Sequence, residues 1–216
     1  MRIQTKICGL STAPTLDAAV AGGASHVGFV FYSASPRNVT LADARSLSSR
    51  VPDHVARVGV FVDPDDALLD AAVEAGRLSV VQVHKAEPYR CREIAERMRC
   101  VGAGLWAAVP IRNPGDLEKA RAYSDVEIDR ILYDAKTPDD ALLPGGMGLR
   151  FDWRMLSGFR HSKNWVLAGG LDAFNVGEAI HLTGATMVDV SSGVETAPGV
   201  KDVGKIAGFL RATATL

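Results

Sequence analysis

Eight short apolar runs, at residues 2–9, 27–31, 57–62, 79–84, 104–109, 128–133, 165–168 and 187–190, recur along this chain, and nearly all lead through a polar loop into apolar residues at helical spacing. Runs of this length rich in Val, Ile and Phe read as strands, and strands alternating with amphipathic helices read as βαβ units whose strands lie parallel. The second run, Val27-Gly28-Phe29-Val30-Phe31, is apolar throughout, as a strand covered on both faces must be. Eight such units closed on themselves give an α/β fold, a (β/α)8 or TIM barrel expected as a single domain over residues 1–216. The alternative is an open doubly wound sheet. Against it, the first βα turn lacks the G-x-G-x-x-G fingerprint, and glycines stand instead after the seventh run, as the pair Gly169-Gly170, and after the eighth, in Ser191-Ser192-Gly193.

Punctuation between the runs supports the same division. Ser11 and Thr12 precede Pro14 at a helix start, Thr40 and Asp43 form a capping-box pattern, Asp63-Pro64 and Asn113-Pro114 each pair a capping residue with a first-turn proline, and Glu87-Pro88 opens another helix. Gly22-Gly23 and Gly76 are stops. Between Asp134 and Phe151 lies the longest stretch without periodicity, with Pro138, Pro144 and Gly145-Gly146-Met147-Gly148, which reads as a lid or binding loop.

A formal net charge of -1, with no stripe of Lys or Arg, points away from nucleic acid and anionic membranes and toward a small-molecule partner. No stretch approaches the ~18 apolar residues of a membrane span, and the N-terminus lacks the build of a signal peptide, so a cytoplasmic location is expected. Cys8, Cys91 and Cys100 show neither C-x-x-C spacing nor a nearby His pair, which argues against a disulfide framework or a zinc site.

In a barrel the C-terminal strand ends gather Cys8, Arg37, His84, Asp134, Gly169, Gly170, Asp189, Ser191, Ser192 and Gly193 around one mouth. Each has a plain alternative. Cys8 reads equally as a small buried hydrophobe, Arg37 as solvated surface, Asp134 as a turn residue and His84 as a satisfied core histidine. Asp189 reads as an orienting neighbour, and the two glycine loops as simple turns. Two such loops feeding helix N-termini nonetheless make a site for an anion such as phosphate.

Lys6-Ile7-Cys8-Gly9, Gly28-Phe29-Val30-Phe31 with Ser35-Pro36-Arg37, Gln82-Val83-His84, Asp134 with Pro144-Gly145-Gly146, Leu167-Ala168-Gly169-Gly170-Leu171 and Asp189-Val190-Ser191-Ser192-Gly193 with Glu195, in that order, resemble the phosphoribosylanthranilate isomerase family. The resemblance runs from the first strand to the last helix. It implies a TIM-barrel enzyme of tryptophan and thus aromatic amino-acid biosynthesis, an aldose-ketose isomerase that carries out an Amadori rearrangement without cofactor or metal. It further implies Cys8 as general base, Asp134 as general acid and Arg37 as the anchor of the anthranilate carboxylate. A monomer and a homodimer both fit. That base must be exposed and ionised, so Cys8 is expected to be the most reactive of the three thiols, with Lys6 on the same strand face favouring its thiolate.

Two departures stand out: His84-Lys85-Ala86-Glu87 where the family usually has His-Gly-Asp-Glu, and Gly145-Gly146-Met147-Gly148 where it usually has Gly-Gly-Thr-Gly. Another phosphosugar barrel isomerase or epimerase is the nearest rival. The two-aspartate design of the related histidine-pathway isomerase is disfavoured by Cys8 in the place of its first aspartate. A non-catalytic phosphosugar-binding barrel is the rival from another class.

Overall fold

Each apolar run forms a strand, and the eight strands close on one another in chain order. The structure, a computed structural model, describes residues 3–137 and 146–216. Strands β1 Gln4–Cys8, β2 His26–Phe31, β3 Ala56–Val62, β4 Val80–His84, β5 Gly104–Ile111, β6 Arg130–Ala135, β7 Asn164–Leu167 and β8 Met187–Val190 make a closed parallel barrel. The ring shuts where β8 pairs with β1, placing Lys6 beside Asp189.

Alternation along the strands builds two cores. Outward residues such as Ile7, Phe29, Phe61, Val83, Ile131 and Val188 pack with the helices. Inward residues such as Val30, Val58, Val60, Trp106, Leu132 and Met187 fill the barrel. Phe31 and Phe61 stack with ring centroids 5.1 Å apart, joining β2 to β3 on the outer face. The polar Lys6, Gln82 and Asp189 and the thiol of Cys8 belong to buried strand positions, so hydrophobicity alone does not explain them.

The helices are α1 Ala13–Ala21, α2 Leu41–Ser48, α3 Asp66–Gly76, α4 Pro88–Val101, α5 Pro114–Ala120, α6 Val176–Thr183 and α7 Val203–Ala214. The capping box before α2 forms as read, Thr40 accepting from the Asp43 N–H and Asp43 from the Thr40 N–H. The start of α3 is corrected. Asp65, not Asp63, caps it by accepting the Leu68 N–H at 2.7 Å, while Asp63 takes a left-handed turn at φ 44°. Two aspartates flank Pro64, and the one after it is the cap.

After β6 and directly after β8, the described residues form no α-helix. Between β6 and β7 they hold only a 3-10 turn, Trp153–Leu156, and Pro144 and Gly145 of the expected binding loop lie outside the described residues. After β8 a 3-10 turn, Ser192–Val194, runs into a small antiparallel hairpin of β9 Glu195–Ala197 and β10 Val200–Lys201 before α7 begins. Among the described residues no helix is long and apolar enough to cross a membrane.

Candidate active site

Cys8 ends β1, and Gly9 turns the chain away at φ 76°. A Cβ on Gly9 would lie 2.7 Å from Arg37 Cδ, so glycine is needed both for the turn and for the passage of the arginine. The Cys8 thiol is buried, 6% exposed, and Lys6 below it is wholly enclosed. Lys6 Nζ donates to Asp189 Oδ1 at 3.0 Å across the β1–β8 seam.

Burial pushes the Cys8 thiol up, Asp189 adds to the rise, and Lys6 and Lys201 oppose it without prevailing. Burial also opposes charge on Lys6, but Asp189 and Cys8 outweigh it and keep the ammonium above its ordinary range. The expectation that local positive potential favours the thiolate therefore holds only in direction. Desolvation is the larger effect.

Asp134 stands on β6, its Oδ1 accepting the Ala135 N–H at 2.8 Å. Burial, then the nearby Asp189 carboxylate, raise its pKa to about 7, with Ala135 N–H and Lys6 pulling the other way. Asp134 is thus more than a turn residue. It lines three adjoining cavities, of about 80, 40 and 470 Å³.

The 80 Å³ cavity is the barrel mouth, shared with Cys8, Arg37, Gln82, His84 and Asp189. The 40 Å³ cavity lies between the glycine loops, with Gly146, Gly169, Gly170, Ser191 and Ser192 in its walls. The largest opens outward over β4, β5 and β6, past His84, Pro110 and Tyr123.

Arg37 is not solvated surface. At 5% exposure it donates from Nε and Nη2 to the two carboxylate oxygens of Glu195, both at 2.7 Å, and from Nη2 to the Gly146 carbonyl at 2.9 Å. Glu195 also accepts from Lys201 Nζ at 2.6 Å, and Lys201 reaches the Ser191 carbonyl at 2.9 Å. Burial opposes the charge on Glu195, yet Arg37 and Lys201 hold its carboxyl below the usual range. A pair buried to this degree is costly to break from one side, about 3–5 kcal/mol for an uncompensated charge. Glu195 and Lys201 belong to the hairpin that sequence reading did not find.

His84 is buried, 9% exposed, and its pKa is lowered to about 4, mainly by burial and then by Lys6 and Lys85. It is an uncharged histidine near neutrality. Its Nε2 is 3.0 Å from Gln82 Nε2, so Gln82 donates and the ring accepts. The opposite end of that amide, Gln82 Oε1, is buried without a hydrogen-bond partner. Such a group costs about 1–3 kcal/mol. Gln82 was named only as part of a motif. The signal that marks it is a polar residue in an otherwise apolar strand, Val80-Val81-Gln82-Val83-His84.

Gly169 and Gly170 adopt φ 85° and 65°, so both need glycine. Gly193 serves another purpose than expected. A Cβ there would come 1.9 Å from the Leu171 carbonyl, so it lets the two loops touch rather than facing the cavity. Asn175 Nδ2 ties α6 to the first loop through the Gly170 carbonyl at 3.0 Å. Among the described residues no group of three His, Cys, Asp or Glu stands close enough to hold a metal ion.

A closed parallel barrel whose mouth sets a thiol and a raised carboxyl beside a glycine-lined recess has the architecture of a TIM-barrel enzyme. Residues 5–212 match the family model of N-(5′-phosphoribosyl)anthranilate (PRA) isomerase, and the chain belongs to that family. A relative of that name from Zymomonas mobilis subsp. pomaceae is 52% identical over 217 residues, covering all of both chains. The crystal structure of the enzyme from Thermotoga maritima superposes with a TM-score of 0.87 at 38% identity, covering 99% of this chain and 100% of that one. A further isomerase structure, in complex with reduced 1-(o-carboxyphenylamino)-1-deoxyribulose 5-phosphate, superposes at 0.84 with 35% identity over 99% of this chain and 100% of that one.

Proposed function

We propose that this chain, working as one catalytic unit, converts N-(5-phosphoribosyl)anthranilate to 1-(2-carboxyphenylamino)-1-deoxyribulose 5-phosphate in tryptophan biosynthesis, with Cys8 as general base and Asp134 as general acid. The observation that carries this reading is the place of Asp134, a carboxyl with a pKa of about 7 where the mouth, the glycine recess and the outer cavity meet. Family membership supports the reaction, and the complex of the relative with a reduced product-like ligand supports the ligand class.

The phosphate is held by the recess of Gly169, Gly170, Ser191 and Ser192, where backbone can approach closely. Asp134, protonated, gives its proton to the furanose ring oxygen, and the C1′–O bond breaks to leave a protonated Schiff base. Cys8 as thiolate takes the C2′ proton, and the electron pair moves to neutralise the iminium as an enolamine. That enolamine tautomerises to the ketone. His84, uncharged, shapes the wall of the mouth. Asp189 holds Lys6 beneath the thiol.

Arg37 anchors the anthranilate carboxylate in this reading. Nε and part of Nη2 are committed to Glu195, so the arginine arrives already oriented. A fluorescence assay of PRA consumption by the purified protein is the direct test. Absence of turnover in a folded preparation refutes the assignment.

A further inference from the structure

Gln82 has no part in the chemistry above, yet it is built into the mouth. It is 1% exposed, it lines the same cavity as Cys8, Asp134 and Asp189, and its Oε1 has no partner among the described residues. The rest of the amide is fixed. Nε2 is used by His84 at 3.0 Å, and with that ring accepting, the oxygen is the polar atom of the side chain left without a partner. Tyr32, Ser35, Arg37 and Ser191 also line the cavity, yet none of them donates to this oxygen.

A buried acceptor is a poor way to fill a core. Leu or Met would fill the same space without an unpaired oxygen. An acceptor fixed from behind and left without a partner in the wall of a binding cavity is instead what a site needs to orient a ligand that carries a donor.

We propose that Gln82 is a positioning residue for the isomerase reaction, its amide oxygen accepting a hydrogen bond from a hydroxyl or the anilino N–H of the substrate. This rests on the reaction assigned above. The bond holds the reacting carbons between Cys8 and Asp134, and its loss lets the substrate turn in the mouth without emptying the phosphate recess, which Gln82 does not line.

The test is Gln82→Met in the full chain, a change that keeps length and removes both polar atoms. The expected result is a roughly tenfold fall in kcat/KM, with the melting temperature unchanged or higher and the affinity for inorganic phosphate retained. A kcat/KM within about twofold of wild type overturns the proposal. So does a fall matched by equal losses of phosphate affinity and melting temperature, which marks a packing role. Should the variant fail to fold, the side-chain amide resonances of Gln82 in the wild-type protein decide. They shift on saturation with a reduced product analogue if the oxygen is engaged, and a resonance that stays put overturns the idea. A wild-type protein without turnover overturns the reaction and this inference together, whereas an active wild type beside an equally active variant removes only the inference.

Discussion

The two sides of the mouth are buried alike but furnished differently. Cys8 has Lys6 and Lys201 against the Asp189 carboxylate, whereas Asp134 has only the Ala135 N–H and Lys6 against the same carboxylate. Burial drives both groups toward their neutral forms. For an acid that must be protonated this helps. For a base that must be ionised it hinders, and cations are found on that side. The lesson is that one desolvated cavity can prepare an acid without further help but needs added positive charge to prepare a base beside it.

The sharpest test of that comparison is deletion of each group. Cys8→Ala and Asp134→Asn are each expected to lower kcat by ~10²–10⁴-fold, read in the PRA fluorescence assay with folding checked by circular dichroism. Near wild-type turnover in either variant breaks the assignment for that side.

Lys6→Met should act on the base alone. In a Cys91→Ser, Cys100→Ser background, thiolate absorbance near 240 nm should appear at a pH about one unit or more higher than with Lys6 present, because an adjacent cation favours the charged thiol. The same change leaves Asp189 buried without its 3.0 Å partner, so Lys6→Met with Asp189→Asn is the fairer comparison for stability. An unmoved thiolate titration means the lysine does not serve Cys8.

The pH profile of the free enzyme sharpens the ordering. With Asp134 near 7 and Cys8 raised above its ordinary value, the productive form, thiolate with carboxylic acid, is a minor microstate between the two. The kcat/KM should then rise roughly tenfold from pH 6 to 8 through the Asp134 value, and fall only at the higher pH where Cys8 titrates. A fall beginning at 7 means that the thiol ionises more readily than the acid and that the order is reversed.

Stability supplies a smaller effect. The folded pKa of Asp134, about 7, lies above its unfolded value of ~3.9, so its contribution is complete below the unfolded value and is lost as pH rises through the folded one. Asp134→Asn should accordingly gain up to roughly 2 kcal/mol on wild type above pH 7 and little near pH 4, measured by urea unfolding.

The smallest effect concerns alkylation, and it runs against the sequence expectation. Cys100 is exposed, Cys8 is buried with a raised pKa, and Cys91 is buried with a pKa of about 11. Iodoacetamide near neutral pH should therefore label Cys100 first, as peptide mapping would show. Reaction at Cys8 ahead of Cys100 means that the mouth opens more than its burial implies.

What the sequence made legible follows from how local each feature is. Apolar runs, proline-marked helix starts and glycine stops are decided within a few residues, so the strands and their order could be read, and with them the convergence of Cys8, Asp134, Asp189 and the glycine loops. The Arg37–Glu195 pair could not. Nothing near either residue announces the other, and β9 and β10 are too short to show an alternating pattern. The cap at Asp65 was missed because two aspartates flank Pro64, and only backbone geometry chooses between them. The approach of Gly193 to the Leu171 carbonyl is likewise non-local, and a lone glycine in a loop does not announce it.

The tie between Arg37 and Glu195 spans 158 positions of chain, and that between Lys6 and Asp189 spans 183. Contacts so remote are entropically expensive to make before the intervening chain has condensed. Neither half of the chain holds both partners of either tie, so a fragment can have native strands and still lack a working mouth. The two clasps should accordingly have low φ-values, with Glu195→Gln speeding unfolding far more than it slows refolding. Catalytic competence would then be the last property the nascent chain acquires and, on heating or dilution into denaturant, among the first it gives up.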